Sequence, residues 1–103
     1  MMPGRARLPD RRPSELFEFQ AMDLSFTASI SRYPDGRIAE LFCDNHKAGS
    51  QIGTLVRDAA ILLSFALQHG ADADAIRHAL CRDSNGHALG PIAQALDIIA
   101  RQS

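Results

Sequence analysis

Cysteine is scarce in this chain: Cys43 and Cys81 are the only two among 103 residues. Two thiols are too few for a disulfide scaffold, and with no secretory apolar segment near the start they point to free thiols in a reducing cytoplasm. Charge of one sign is lacking as well, the formal net charge being -1. Phosphate binding draws on clustered cations that release counterions, so a near-neutral body excludes a nucleic-acid field over the whole surface. Long hydrophobic runs are also missing. The most apolar stretch, from Ala59 to Leu67, is broken by Ser64 and falls well short of the roughly 20 residues that a bilayer span needs. There is no internal repeat, no Gly-x4-Gly-Lys-Ser/Thr phosphate loop, and no recognised set of nucleophile, base and orienting group.

What remains has the balance of one folded domain, 46% hydrophobic and 22% charged, at a size that buries a core without disulfides or metal. Residues 1–13 differ from the rest. Pro3, Pro9 and Pro13 alternate there with Arg5, Arg7, Arg11 and Arg12, leaving few apolar groups to offset the entropy of ordering, so the segment reads as a flexible basic arm. Any contact with nucleic acid falls to this arm; a solvated tail is the simpler reading.

Residues 14–103 read as a single α+β domain. Phe17 and Phe19 alternate with Glu18 and Gln20, and Leu24, Phe26, Ala28 and Ile30 alternate with Ser25, Thr27, Ser29 and Ser31. A period of two predicts strands with an apolar face inward and a Ser/Thr face in water. Tyr33-Pro34-Asp35-Gly36 predicts a turn, proline fixing φ and glycine accepting a positive φ, and so a hairpin over 23–43 in a three-stranded antiparallel sheet. In the third strand either Ile38 and Phe42 or Ala39, Leu41 and Cys43 face the core; the turn permits both registers.

Ser50 suits a helix N-cap, and Ile52, Leu55, Val56, Ala59, Leu62, Leu63, Ala66 and Leu67 follow at helical spacing to His69-Gly70, predicting a long central helix over 50–69 packed on the sheet. Ala60, Ile61 and Phe65 widen its apolar stripe nearly all round, which implies sheet on one side and a helix or partner on another. Asp72 or Asp74 caps a second, shorter helix through Ile76, Ala79 and Leu80. Asp83-Ser84-Asn85-Gly86 breaks that helix, and a third helix begins near Pro91 with Ile92, Ala95, Leu96 and Ile99 as its inner stripe and Ile98 beside them.

Three groups of residues bear on chemistry. Cys43-x2-His46 and His78-x2-Cys81 have the donor types of a Cys2His2 zinc site, but a cysteine in a strand or on the buried side of a helix behaves as a small hydrophobe, and no metal is assigned. Asp72 and Asp74 near a helix start are explained by capping, and no catalytic residue is assigned. Lys47-Ala48-Gly49-Ser50 opens the central helix, where free backbone N–H groups and the positive dipole end favour an anion; Lys47, Gly49 and Ser50 are the candidate ligand-binding residues, and a capping loop is the plainer account.

The succession of a strand, Tyr33-Pro34-Asp35-Gly36 and a strand, then Lys47-Ala48-Gly49-Ser50, then Arg57 to Gly70 (Arg-Asp-Ala-Ala-Ile-Leu-Leu-Ser-Phe-Ala-Leu-Gln-His-Gly), then Ile92-Ala93-Gln94-Ala95-Leu96, resembles the TSCPD domain over about residues 13–100. That family occurs at the C-terminus of adenosylcobalamin-dependent (class II) ribonucleotide reductases and as small stand-alone proteins. Its naming motif, Thr-Ser-Cys-Pro-Asp, falls where this chain has Gly86-His87-Ala88-Leu89-Gly90, and Ala21 and Ser50 stand where relatives often carry cysteine. A cysteine-based metal or redox role therefore does not carry over. The family label would be ribonucleoside-diphosphate reductase, but the radical-generating barrel and cobalamin site behind it take hundreds of residues that these 103 do not supply. The preferred reading is a cytoplasmic, non-catalytic TSCPD-like module without a cofactor that binds a protein partner or a second copy of itself, on the strength of the over-apolar central helix; the resemblance implies a tie to deoxyribonucleotide supply. The alternative is a small nucleotide- or phosphate-binding module using Lys47 to Ser50.

Overall fold

The computed structural model describes residues 14–46 and 50–102, so the basic arm, Lys47 and Gly49 lie outside the described residues. Three antiparallel strands, β1 (Ser14–Ala21), β2 (Leu24–Arg32) and β3 (Ile38–Asn45), pair in the order β1-β2-β3. Helices α1 (Gln51–Gln68), α2 (Ala73–Ala79) and α3 (Pro91–Arg101) follow. This is the α+β fold that the alternation and helical spacing predict.

The two hairpins turn by different chemistry. At Tyr33 to Gly36 the Gly36 N–H donates to the Tyr33 carbonyl at 2.9 Å, Gly36 takes a φ of +95°, and Asp35 accepts from both the backbone and the guanidinium of Arg37. Between β1 and β2 the chain reverses through Met22 and Asp23 alone, with φ values of 55° and 60°. Two consecutive left-handed residues match the twist of a tight hairpin, a geometry that usually selects Asn-Gly or Asp-Gly.

Register follows from burial. Phe26, Ala28 and Ile30 of β2 pair with Asn45, Cys43 and Leu41 of β3 on the inner face. Of the two registers open in the sequence, the one placing Ala39, Leu41 and Cys43 in the core is observed, while Phe42 stays half exposed on the outer face. A register shift beside Ser31 and Arg32 then pairs Arg32 with Ile38, which lets Ile38 also reach the core margin. The outer face is not wet throughout: Ser31 and Glu40 are buried there, contrary to the uniform Ser/Thr-in-water pattern. Phe19 and Phe26 stack across β1 and β2 at 5.6 Å between ring centroids, and Val56, Ala60, Leu63, Leu67, Leu96 and Ile99 close the core from the helices.

Helix α1 begins as predicted. Ser50 is extended, and its Oγ accepts from the Gly53 N–H at 2.9 Å. It ends at His69 with Gly70 at φ +97° and the Ala71 N–H returned to the Ala66 carbonyl at 3.0 Å, a glycine cap. Asp72 rather than Asp74 caps α2, accepting from the N–H groups of Asp74 and Ala75.

The polar residues of α1 explain its placement. The Leu41 N–H of β3 donates to Ser64 Oγ at 2.9 Å, the Ser64 hydroxyl lies 3.0 Å from the Leu41 carbonyl and 2.9 Å from that of Ala60, and Gln68 Nε2 donates to the Ala39 carbonyl at 2.9 Å. Both side chains are buried. They satisfy backbone groups of β3 that point away from β2, so α1 seals that edge as well as covering the inner face. Replacing Ser64 with alanine should cost about 1–3 kcal/mol, because the Leu41 N–H is left buried without an acceptor; urea unfolding of the two forms measures it.

Candidate interaction surface

Sealing the β3 edge through Ser64 and Gln68 fixes the rotation of α1, and the rotation decides which apolar residues are left outside. Leu55 and Leu62, expected in the buried stripe, are 64% and 69% exposed. The physical reason is that Gly53, Val56, Ala60, Leu63, Ser64, Leu67 and Gln68 form the inward face instead. Ile61 and Phe65 also stand outside, so one side of α1 presents four large apolar side chains. Scattered surface leucines are ordinary; four large apolar side chains exposed together on one helix are less so.

Concavities flank this stripe. On one side an apolar hollow of about 280 Å³ lies among Met22, Ile52, Leu55, Leu80, Cys81 and Pro91. On the other, a hollow of about 410 Å³ runs between Phe42, Thr27 and Ser29 of the outer sheet face and Arg57 and Ile61 of α1. Arg57 there holds Asp44 at 2.7 Å, and His46 Nε2 lies 2.6 Å from Thr27 Oγ1. A third, of about 230 Å³, includes Arg32, Arg37 and Arg77, but each guanidinium already engages a carboxylate, of Glu15, Asp35 and Asp74 respectively.

Of the ligand-binding residues read from the sequence, Lys47 and Gly49 lie outside the described residues. Ser50 is described, and its hydroxyl serves as the N-cap of α1. The four metal-type donors are not brought together. Cys43 is buried against α1, His46 sits on the outer sheet face, His78 turns its Nδ1 to the Asp74 carbonyl at 2.8 Å, and Cys81 is exposed beside the apolar hollow. Among the described residues no three His, Cys, Asp or Glu side chains form a cluster able to hold a metal ion.

The two thiols differ in exposure. Burial, with a smaller contribution from Asp44, pushes the Cys43 thiol up to about 12, so it carries almost no thiolate at neutral pH. Cys81 is exposed. One equivalent of a thiol reagent should react promptly with the folded chain at Cys81 and a second only on denaturation; mass spectrometry of the labelled peptides checks this.

One constellation has no counterpart in the sequence reading. Asp97 of α3 receives both terminal nitrogens of Arg82 at 2.7 and 2.9 Å and Arg77 Nη1 at 3.1 Å, while Arg82 also donates to the Arg77 and Gly86 carbonyls, both at 2.9 Å. The Arg82 guanidinium, then the Arg77 one, holds the Asp97 carboxyl down at about 2. These bonds tie α2, the 81–90 connection and α3 together. Arg82 Nε is buried without a hydrogen-bond partner.

Comparison with known proteins supplies context. A 74-residue stretch, 72% of this chain, is 36% identical to the vitamin B12-dependent ribonucleotide reductase of Rhodopirellula baltica and, over the same length, 31% identical to the protein of that name from Bradyrhizobium diazoefficiens. The chain is thus related to a segment of B12-dependent ribonucleotide reductases. It spans only 7% and 6% of the length of these curated relatives. No family model matches the chain, and no solved structure matches it. No helix among the described residues is long and apolar enough to cross a membrane.

The cofactor in the relatives' name does not fit the described residues. The largest hollow given above, about 410 Å³, lies near the lower end of what a drug-sized molecule fills, and a corrinoid is bulkier. Its lining of Thr27, Ser29, Phe42, Cys43, Asp44, Arg57, Ala60 and Ile61 includes no imidazole to ligate cobalt.

Proposed function

We propose that these residues form a TSCPD-like, non-catalytic accessory module of ribonucleotide reduction, which acts by docking to protein through the exposed face of α1. The carrying observation is that Leu55, Ile61, Leu62 and Phe65 are all exposed on a helix whose opposite face is core. Relatedness to B12-dependent ribonucleotide reductases supports placing the module in deoxyribonucleotide supply.

The test is co-elution of the purified chain with the B12-dependent reductase of the same cell, together with reductase turnover with and without the chain. The expected result is a complex and altered turnover, both weakened by Leu62→Lys, with no reduction by the chain alone. Failure to co-elute and unchanged turnover would defeat the reading. Should nucleotides instead raise the melting temperature, the function would move to Lys47, Gly49 and Ser50, since a ligand selective for the folded state must stabilise it.

A further inference from the structure

The outer face of the sheet, opposite the core, is acidic and is closed at one end. Its outward-facing strand residues include three carboxylates, Glu18, Glu40 and Asp44, and no lysine or arginine. Arg57 holds Asp44 at 2.7 Å, and Glu18 stays exposed. Glu40 differs. It is 8% exposed and engaged, as a carboxylate withdrawn that far from water must be. The arginines described nearby serve other carboxylates, Arg32 holding Glu15 and Arg37 holding Asp35. Beside Glu40, Ser31 is 5% exposed, and its hydroxyl has no hydrogen bond among the described residues. A buried carboxylate next to a buried hydroxyl on this face points to a donor laid across both.

The row to which they belong selects the donor. Ser14 pairs with Ser31, and Ser31 with Glu40, so the three stand side by side on the outer face. Ser14 opens β1 and is where residues 1–13, outside the described residues, join the domain. Neighbouring strands lie about 4.8 Å apart, which puts Glu40 about 10 Å from Ser14. Two residues of chain extend up to about 7 Å and an arginine side chain supplies the rest, so Arg11 and Arg12 are within reach. The segment carries four arginines against one acid, Asp10. We infer that residues 1–13 dock on the outer face of their own sheet, with Arg11 or Arg12 donating to the Glu40 carboxylate and the Ser31 hydroxyl. A guanidinium suits this place because its planar fork of donors can serve two acceptors at once and it sheds water more readily than an ammonium. Arginines so engaged are withdrawn from nucleic acid.

Trypsin cleavage after Arg7, followed by mass spectrometry on the full chain, reads the state of the segment, with circular-dichroism melts as the folding control. At low salt the cut should be about tenfold slower in the chain than in a synthetic peptide of residues 1–13, because a docked segment is cut only in its open fraction. Salt at about 1 M, which screens charges within about 3 Å, should remove most of that protection. Glu40→Gln should remove it at low salt. Arg11→Gln together with Arg12→Gln should do the same while leaving the domain itself untouched, and this pair decides the matter if Glu40→Gln lowers the melt. The cleavage rate should not change with chain concentration, since the contact lies within one chain. A chain cut as fast as the peptide, or protection that survives the arginine substitutions, would overturn the proposal. Protection that grows with chain concentration would overturn it too, by placing the segment on a second copy. Docking through α1 is unaffected by any of these results.

Discussion

A lysine in place of Leu63 should leave no cooperative unfolding transition. Leu63 of α1 is 6% exposed and belongs to the core cluster formed by the sheet and the helices. Its removal to alanine already costs about 2–5 kcal/mol, through lost transfer energy and the cavity left behind. An ammonium in that place adds desolvation without a partner, since the residues around it are Phe, Ile, Leu and Ala side chains. A domain of this size has only about 5–15 kcal/mol in hand. Thermal melts followed by far-ultraviolet circular dichroism should show a sharp transition for wild type, a lower one for Leu63→Ala, and none for Leu63→Lys. A cooperative melt for the lysine form within a few degrees of wild type would mean that this face of α1 is not buried.

Asp97→Ala should be the most costly change outside the apolar core, about 3 kcal/mol or more, because it leaves the largely buried Arg82 guanidinium without a carboxylate, takes one of two carboxylates from Arg77, and leaves the 81–90 connection without its anchor. Acid should act along the same route. The folded carboxyl titrates at about 2, below the ~3.9 of an unfolded aspartate. A depressed folded value means that the contribution is fully present above about pH 4 and is lost as pH falls through about 2, amounting to about 2 kcal/mol. Urea midpoints between pH 5 and pH 2 should therefore fall more steeply for wild type than for Asp97→Asn. Parallel curves for the two forms would remove Asp97 from the acid response.

Both expected effects bear on what a reader of the sequence sees. The limits of α1 were legible to a residue at each end, because Ser50 and His69-Gly70 act through local backbone chemistry. The two-residue period of β2 was legible for the same reason. Which side of α1 faces inward was not. A helix apolar nearly all round gives periodicity little contrast, so helical spacing alone puts Leu55 and Leu62 inside, where the structure has them exposed. The deciding residues are polar: Ser64 and Gln68, which look like interruptions until β3 presents its unpaired backbone to them. The Asp97 cluster was invisible for a related reason, since it joins residues 77, 82 and 97 from separate elements. Of the ligand loop, Ser50 was legible as a cap.

The asymmetry of the sheet's two margins has one more consequence. With α1 bonded along β3, a strand from another molecule has no place to add there. Among the described residues β1 pairs with β2 alone and keeps its far margin open. A sheet whose described strands offer a single receptive margin can accept one neighbouring strand and then stops, so strand-to-strand joining by itself ends in a closed pair.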